Sequence, residues 1–299
     1  VAKARWPAWD TFQIAVRRRE RRLGEFHTKF LREKSYGAAL NTFRQKGTDA
    51  ATLTIYEAIQ AASEGADIEI VLLLDYTMGS DALVAKKTVE SLTDLKGKSI
   101  AVEKGTIAHF TVLKALEMAG LGREDVHVKH LGLDSLQQAF IEGKVDAAGT
   151  YEPYLSRLVQ AGEGHVLFSS REIPRAICDV LFVKSRVAHR SPEVVDHWIE
   201  AWHTVQDYRR HERREWLRML TRMNDTSAPR MKQALSGIYF TGMAENRRAF
   251  GMAGDTGYLE ESLREMQAFM YRQGVIDKKV AVGRLLHPDG VRRFFSRRE

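Results

Sequence analysis

At 299 residues, 44% hydrophobic and 28% charged with six prolines, the chain can build one large or two medium cores and holds no long disordered linker. Its most apolar run, residues 68–74, carries Glu69 and is too short to cross a bilayer, and a single cysteine, Cys178, excludes an internal disulfide and a cysteine zinc cluster. The formal charge of +7 gathers toward the ends: residues 1–35 hold ten Lys/Arg against four Asp/Glu, densest at Arg17-Arg18-Arg19-Glu20-Arg21-Arg22, whereas residues 81–180 hold twelve against fourteen. Interleaved acids and the lack of a nucleic-acid motif favour a solvated helix face over a nucleic-acid or membrane patch. No secretory leader is visible, and a first residue of valine fits a processed or trimmed chain without deciding the compartment.

In chain order, residues 1–4 read as the end of a first strand and 38–46 as a helix. Residues 48–54 read as a strand, 55–63 as a helix, and the β-branched, leucine-rich 68–76 as the strongest strand. Then come strand 99–103, helix 106–119, strand 126–131, and helix 135–142 with Asp134 as its cap and Gln137 in a weak capping box. Strand 145–150, helix 152–160 and strands 165–169 and 177–183 complete the alternation, which predicts a parallel sheet covered by helices on both faces. Ser191-Pro192-Glu193 starts a helix, and the pattern stays helical to about residue 220 and again over 229–251 and 256–273. These elements fit one α/β domain with an extension or two lobes equally well.

No catalytic set stands out: there is no Gly-x-Ser-x-Gly elbow, no His-Glu-x-x-His and no second cysteine. His127 and His130 fall on opposite faces of a strand, so no shared metal is expected. Gly97-Lys98-Ser99 lacks the upstream glycine of a phosphate-binding loop.

The blocks "RWPAWDTFQIA" (5–15), "DAATLTIYEAIQAASEGADIEIVLLLDYTMGSDALVAK" (49–86), "SLTDLKGKSIAVEKGTIAHFTVLKALEMAGL" (91–121), "FIEGKVDAAGTYEPYLSRL" (140–158) and "ICDVLFV" (177–183), in this order, resemble the nitrate/sulfonate/taurine family of ABC-transporter substrate-binding proteins, which includes thiamine-precursor binders. The resemblance covers roughly the first 185 residues. It implies an α/β, two-lobed periplasmic-binding fold of the second type, each lobe a mainly parallel sheet with helices on both faces, and a helical C-terminal extension. Lobe one would be residues 1–82 plus 182–299 and lobe two 83–181, with hinge crossings near 81–86 and 177–182. A small polar or anionic solute held in the inter-lobe cleft, closure by hinge motion, delivery to a membrane ABC permease, a periplasmic (or extracytoplasmic lipoprotein) location and a monomeric state follow as expectations. An enzyme, a cofactor, a metal and a nucleic-acid partner are not expected.

In such a sheet, ligands sit at the carboxyl ends of strands, where helix N-termini offer unpaired N–H groups and a partial positive charge. Gly105-Thr106 is therefore the expected anion contact, with His109 one turn further on. The resemblance makes Trp6 the start of a ligand-contacting loop, with Asp10 after it; packing is the competing role for the tryptophan. Thr52 and Thr54 end a strand and can donate hydroxyls or cap a helix. Asp75, Tyr76 and Thr77 end the strongest strand, where a carboxylate can meet an ammonium or an amidine-like ring or pin a turn. Tyr151 offers a flat face, Glu152 an acid for ligand or helix dipole, and Asp179, inside an apolar strand, is a hinge acceptor or a cleft residue. A taurine-like zwitterion fits this set, with nitrate and a thiamine-precursor aminopyrimidine as alternatives. A ligand-sensing module of a receptor or regulator is the rival reading.

Overall fold

The computed structural model describes residues 1–298 apart from 25, 46, 162, 163, 253, 255 and 256. The last residue of the expected helix 38–46, the first of the expected helix 256–273 and the terminal Glu299 lie outside the described residues. The chain divides into two units: residues 1–76, 178–228 and 239–299 form the first, 77–177 and 229–238 the second.

The first unit opens with β1 (Ala2–Lys3), α1 (Pro7–Leu23), β2 (Leu31–Arg32), α2 (Tyr36–Arg44), β3 (Ala50–Thr54), α3 (Ile55–Ser63) and β4 (Ile68–Thr77). Pro7 presets the first turn of α1 where no N–H is needed, and Gly24 ends that helix at φ +71, a left-handed value that suits glycine. Thr54 caps α3 by accepting the Tyr56 N–H at 3.1 Å, while the Glu57 carboxylate accepts the Thr54 N–H at 3.1 Å, a reciprocal capping box.

The second unit carries β5 (Asp81–Lys86), β6 (Ser99–Val102), α4 (Ile107–Met118), β7 (His127–His130), α5 (Leu133–Ile141), β8 (Ala147–Tyr151), α6 (Tyr154–Ala161) and β9 (Gly164–Ser169). The chain then returns through β10 (Cys178–Lys184), α7 (Ser185–Arg190), α8 (Pro192–His211) and α9 (Arg213–Asn224). Helix α10 (Ala228–Ser236) falls largely in the second unit; β11 (Ile238–Phe240), α11 (Met243–Ala249), α12 (Tyr258–Arg272) and α13 (Asp289–Ser296) follow.

Each unit has its own sheet, ordered β11-β4-β10-β3-β1-β2 in the first and β7-β6-β8-β5-β9 in the second. Strand β1 runs parallel to β2 and β3, and β6 parallel to β7 and β8. Within the expected mainly parallel sheets one strand of each is reversed: β10 runs antiparallel to β3 and β4, and β5 antiparallel to β8 and β9. Neither reversed strand is reached through a crossover helix, the connection that a parallel neighbour requires. Helix α5 also departs from expectation. It starts at Leu133 with Gly132 at its cap, so Asp134 sits inside the first turn, and Gln137 donates to the Leu133 carbonyl at 3.2 Å instead of closing a box.

The outer edge of β4 is covered by the C-terminal third of the chain. The Asn246 side chain pairs with Leu73 like a strand, accepting its N–H at 2.8 Å and donating to its carbonyl at 2.9 Å. Thr241 donates its hydroxyl to the Leu73 carbonyl at 2.6 Å and its N–H to the Leu74 carbonyl at 2.9 Å. Further back, Leu286 bridges Ile70, and the His287 N–H reaches the Ile70 carbonyl at 2.9 Å.

Candidate functional site

In the first unit, Asp179 at the start of β10 lies directly opposite Thr54 on β3 and Asp75 on β4. Directly paired residues share a sheet face, so two carboxylates and a hydroxyl form a row across three strands, each at most 1% exposed. Thr52 sits two residues back on the same face, opposite Lys3 and Leu181. Its hydroxyl is buried without a hydrogen-bond partner among the described residues, as are the indole N–H groups of Trp6 and Trp9, whose rings are 6.1 Å apart. Tyr76 stacks on Tyr239 at 4.6 Å.

Asp10, expected beside a ligand, is instead an internal hub. It faces the fully buried Lys3 ammonium, accepts the Asn224 amide at 2.7 Å and meets Arg32 at 3.3 Å. Burial pushes the Lys3 ammonium below its ordinary pKa, and the Asp10 charge works against that. The carboxylate stabilises its own unit and has little left for a solute.

In the second unit, Gly105 takes φ +69 and hands β6 to α4 as the spacing implies. The expected donors are engaged locally, however. The Thr106 hydroxyl donates to the Glu103 carbonyl at 3.0 Å and makes no cap bond, and the Gly105 N–H donates to His109 Nδ1 at 3.4 Å. Tyr151, at the end of β8, is buried opposite Asp81 on β5, and the neighbouring Thr150 hydroxyl is buried without a hydrogen-bond partner among the described residues. Burial raises Asp81 to about 7, the Thr77 hydroxyl opposing the rise and the Glu152 charge adding to it. Glu152 is also pushed up by burial, and it accepts the Ser156 hydroxyl at 2.7 Å and N–H at 3.3 Å, so it serves the start of α6. Gly149 brings β8 close under α4: a Cβ there would stand 2.4 Å from Val112 Cγ2.

Residues 19–220 match the NMT1-like family. The chain belongs to that family. The taurine-binding periplasmic protein of Escherichia coli K12 is 33% identical over 138 residues, a match that takes in 45% of this NMT1-like chain and 42% of the relative. The chain thus aligns with less than half the length of that protein. The alkanesulfonate-binding protein SsuA of Xanthomonas axonopodis pv. citri, solved with MOPS bound, superimposes with a TM-score of 0.81 at 17% identity, over 96% of this chain and 97% of that one. The desulfurization enzyme DSZB superimposes with a TM-score of 0.67 at 14% identity, over 100% and 99%. The NMT1-like chain therefore has the periplasmic-binding-protein fold, which binding proteins and an enzyme share.

The NMT1-like chain brings the candidates together in two groups. Trp6, Thr52, Thr54, Asp75, Tyr76 and Asp179 occupy the strand ends of the first unit. Gly105 and Thr106 after β6, His109 in the first turn of α4, Tyr151 at the end of β8 and Glu152 next to it belong to the second unit, and Thr77, the last residue of β4, is its first residue. Sequence reasoning passed over Trp9, Asp81 and Thr150. Thr150 immediately precedes Tyr151 at a strand's carboxyl end, a position that could have singled it out. The arginine run forms one side of a groove of about 600 Å³ on α1, α8 and α9, where the Arg18 guanidinium lies 3.7 Å over the Tyr208 ring.

His109 gives the second unit an acid-sensitive contact. Burial first, then the charges of His130, Arg123 and Lys104, lower its pKa to about 4. A histidine held neutral in this way contributes stability that is complete above pH 6.5 and lost as pH falls through about 4. His109→Gln is expected to flatten the stability–pH curve between these limits by a few kcal/mol. Urea unfolding midpoints from pH 4 to 8 check this; an unchanged acid limb refutes it.

Proposed function

We propose that this chain is the solute-capturing component of an ABC importer, taking a small sulfonate of the taurine type at the strand ends of its units. The observation that carries the proposal is the pairing of two kinds of buried group. Within the first unit, Thr52 presents a hydroxyl and Trp6 an indole N–H without a hydrogen-bond partner among the described residues, and Asp75 and Asp179 set two carboxylates side by side. Sulfonate oxygens accept from hydroxyl and indole donors, whereas an ammonium is drawn to carboxylates. The taurine- and sulfonate-binding relatives support the same class of solute. An extracytoplasmic location, a permease as partner, a monomeric state and capture without turnover belong to this reading.

Thermal-shift titration with taurine, alkanesulfonates, nitrate and an aminopyrimidine tests it. The sulfonates should raise the melting temperature most, since a ligand at 100 times its Kd stabilises by about 2.7 kcal/mol. Thr52→Val and Thr150→Val keep the side-chain shape and remove only the hydroxyl. Each is expected to weaken sulfonate binding roughly tenfold, with the ligand-free melting temperature unchanged or slightly higher. No shift with any sulfonate, or undiminished binding by both variants, overturns the proposal. Release of sulfite from the sulfonates would point to an enzyme.

A further inference from the structure

Glu69 at the start of β4, His189 in the last turn of α7 and His287 just before α13 meet at the surface of the first unit. One ligand atom from each lies within 4.8 Å of the other two. Glu69 Oε1 is 2.8 Å from His189 Nε2, and Glu69 Oε2 is 2.7 Å from His287 Nδ1. The first contact is a hydrogen bond. The second is an ion-pair contact without hydrogen-bond alignment, and the buried Oε2 has no hydrogen-bond partner among the described residues. Three side-chain donor atoms thus converge within one metal ion's reach, an arrangement that a cation can bridge. The backbone fixes it, because the His287 N–H to Ile70 bond holds residue 287 beside residue 69.

We propose that Glu69, His189 and His287 bind a late first-row divalent metal ion, with zinc as the best match. Two imidazoles and a carboxylate are a borderline donor set that suits zinc, copper or nickel and not calcium or magnesium, which take all-oxygen shells. At tetrahedral zinc, with Zn–N of about 2.0–2.1 Å and Zn–O of about 2.0–2.2 Å, neighbouring ligand atoms stand roughly 3.3 Å apart. The present spacings reach that by small side-chain rotations. His287 also has an outer partner, since its Nε2 faces Asp289 Oδ2 at 3.8 Å, the carboxylate–histidine–metal order that orients a ligating ring. The His189 side chain is 60% exposed, which leaves ions a path in and water room in the fourth position. The site joins strand β4, helix α7 and the C-terminal segment, three parts far apart in the chain.

The test uses the full chain stripped with EDTA and titrated with zinc chloride, followed by calorimetry and by melting temperature. Wild type is expected to bind one equivalent and melt higher. His189→Ala, on the exposed side where folding is not at stake, should lose affinity at least tenfold, and Asp289→Asn should lose about tenfold. Cobalt(II) should give the intense visible absorption of a tetrahedral complex in wild type and not in His189→Ala. Equal zinc binding by wild type and His189→Ala, or no binding by wild type, overturns the proposal. Neither outcome bears on sulfonate binding, which is measured separately with EDTA present.

Discussion

Asp10→Ala is expected to lower the folding stability by about 3–5 kcal/mol, the range for breaking one side of a buried ion pair. The size follows from what stays behind. Lys3 is fully buried, its ammonium faces Asp10, and Arg32 and Asn224 would each lose one acceptor while keeping others at Met223, Asn224 and Leu220. Without Asp10, burial acts on Lys3 unopposed and lowers its pKa further. A lysine whose pKa is depressed by folding costs stability at pH values below its unfolded value, so the deficit of Asp10→Ala should shrink as pH rises toward 10. The double variant Lys3→Met with Asp10→Leu, which removes both charges and keeps volume, should recover most of the loss. Urea unfolding of the three proteins at pH 7 and pH 9.5 decides the matter. A loss below about 1 kcal/mol at pH 7 would mean that Lys3 finds another partner or water.

The second large effect is expected at Asn246. Its amide gives Leu73 both an acceptor and a donor, and a second N–H bond reaches Gly242 at 3.1 Å, all at a fully buried position. Asn246→Ala leaves the Leu73 N–H without its acceptor inside the protein, at about 1–3 kcal/mol, and opens a cavity besides. The Leu73 carbonyl keeps the Thr241 hydroxyl, so the damage falls on the N–H. A total near 3 kcal/mol is expected in urea unfolding, together with faster hydrogen exchange at Leu73 than at Leu72. Protection of Leu73 equal to wild type would refute the side-chain strand.

What the sequence disclosed and what it hid have physical reasons. Helix α3 runs over residues 55–63 as read, because Thr54 and Glu57 mark its start by a local mechanism. Strand β4 was legible from its β-branched and leucine-rich run, interrupted only by Glu69. Strand direction was not: hydrophobic pattern is blind to it, so the reversal of β5 and β10 escaped. The two- and three-residue strands β2 and β11 are too short to show a period. At the candidate site, position along a strand end was legible, but the partners were not. Asp10 looked like a solute contact because its partners Lys3, Arg32 and Asn224 are 7, 22 and 214 residues away. Gly105 and Thr106 looked free because competition from the Glu103 carbonyl and His109 has no signature in composition. The Glu69–His189–His287 group was out of reach for the same reason, as its first two members stand 120 residues apart.

The cover over β4 also sets a schedule. Thr241 and Asn246 emerge from the ribosome 167–173 residues after the strand they seal. At about 5–20 residues per second, that is a wait on the order of ten to thirty seconds. Until β10 follows, both sides of this apolar strand are unsealed, and afterwards one side remains open, a template on which a neighbouring copy can build. Crowded translation of this chain on a single messenger should therefore produce aggregates seeded at residues 68–77, and slowing initiation should relieve them.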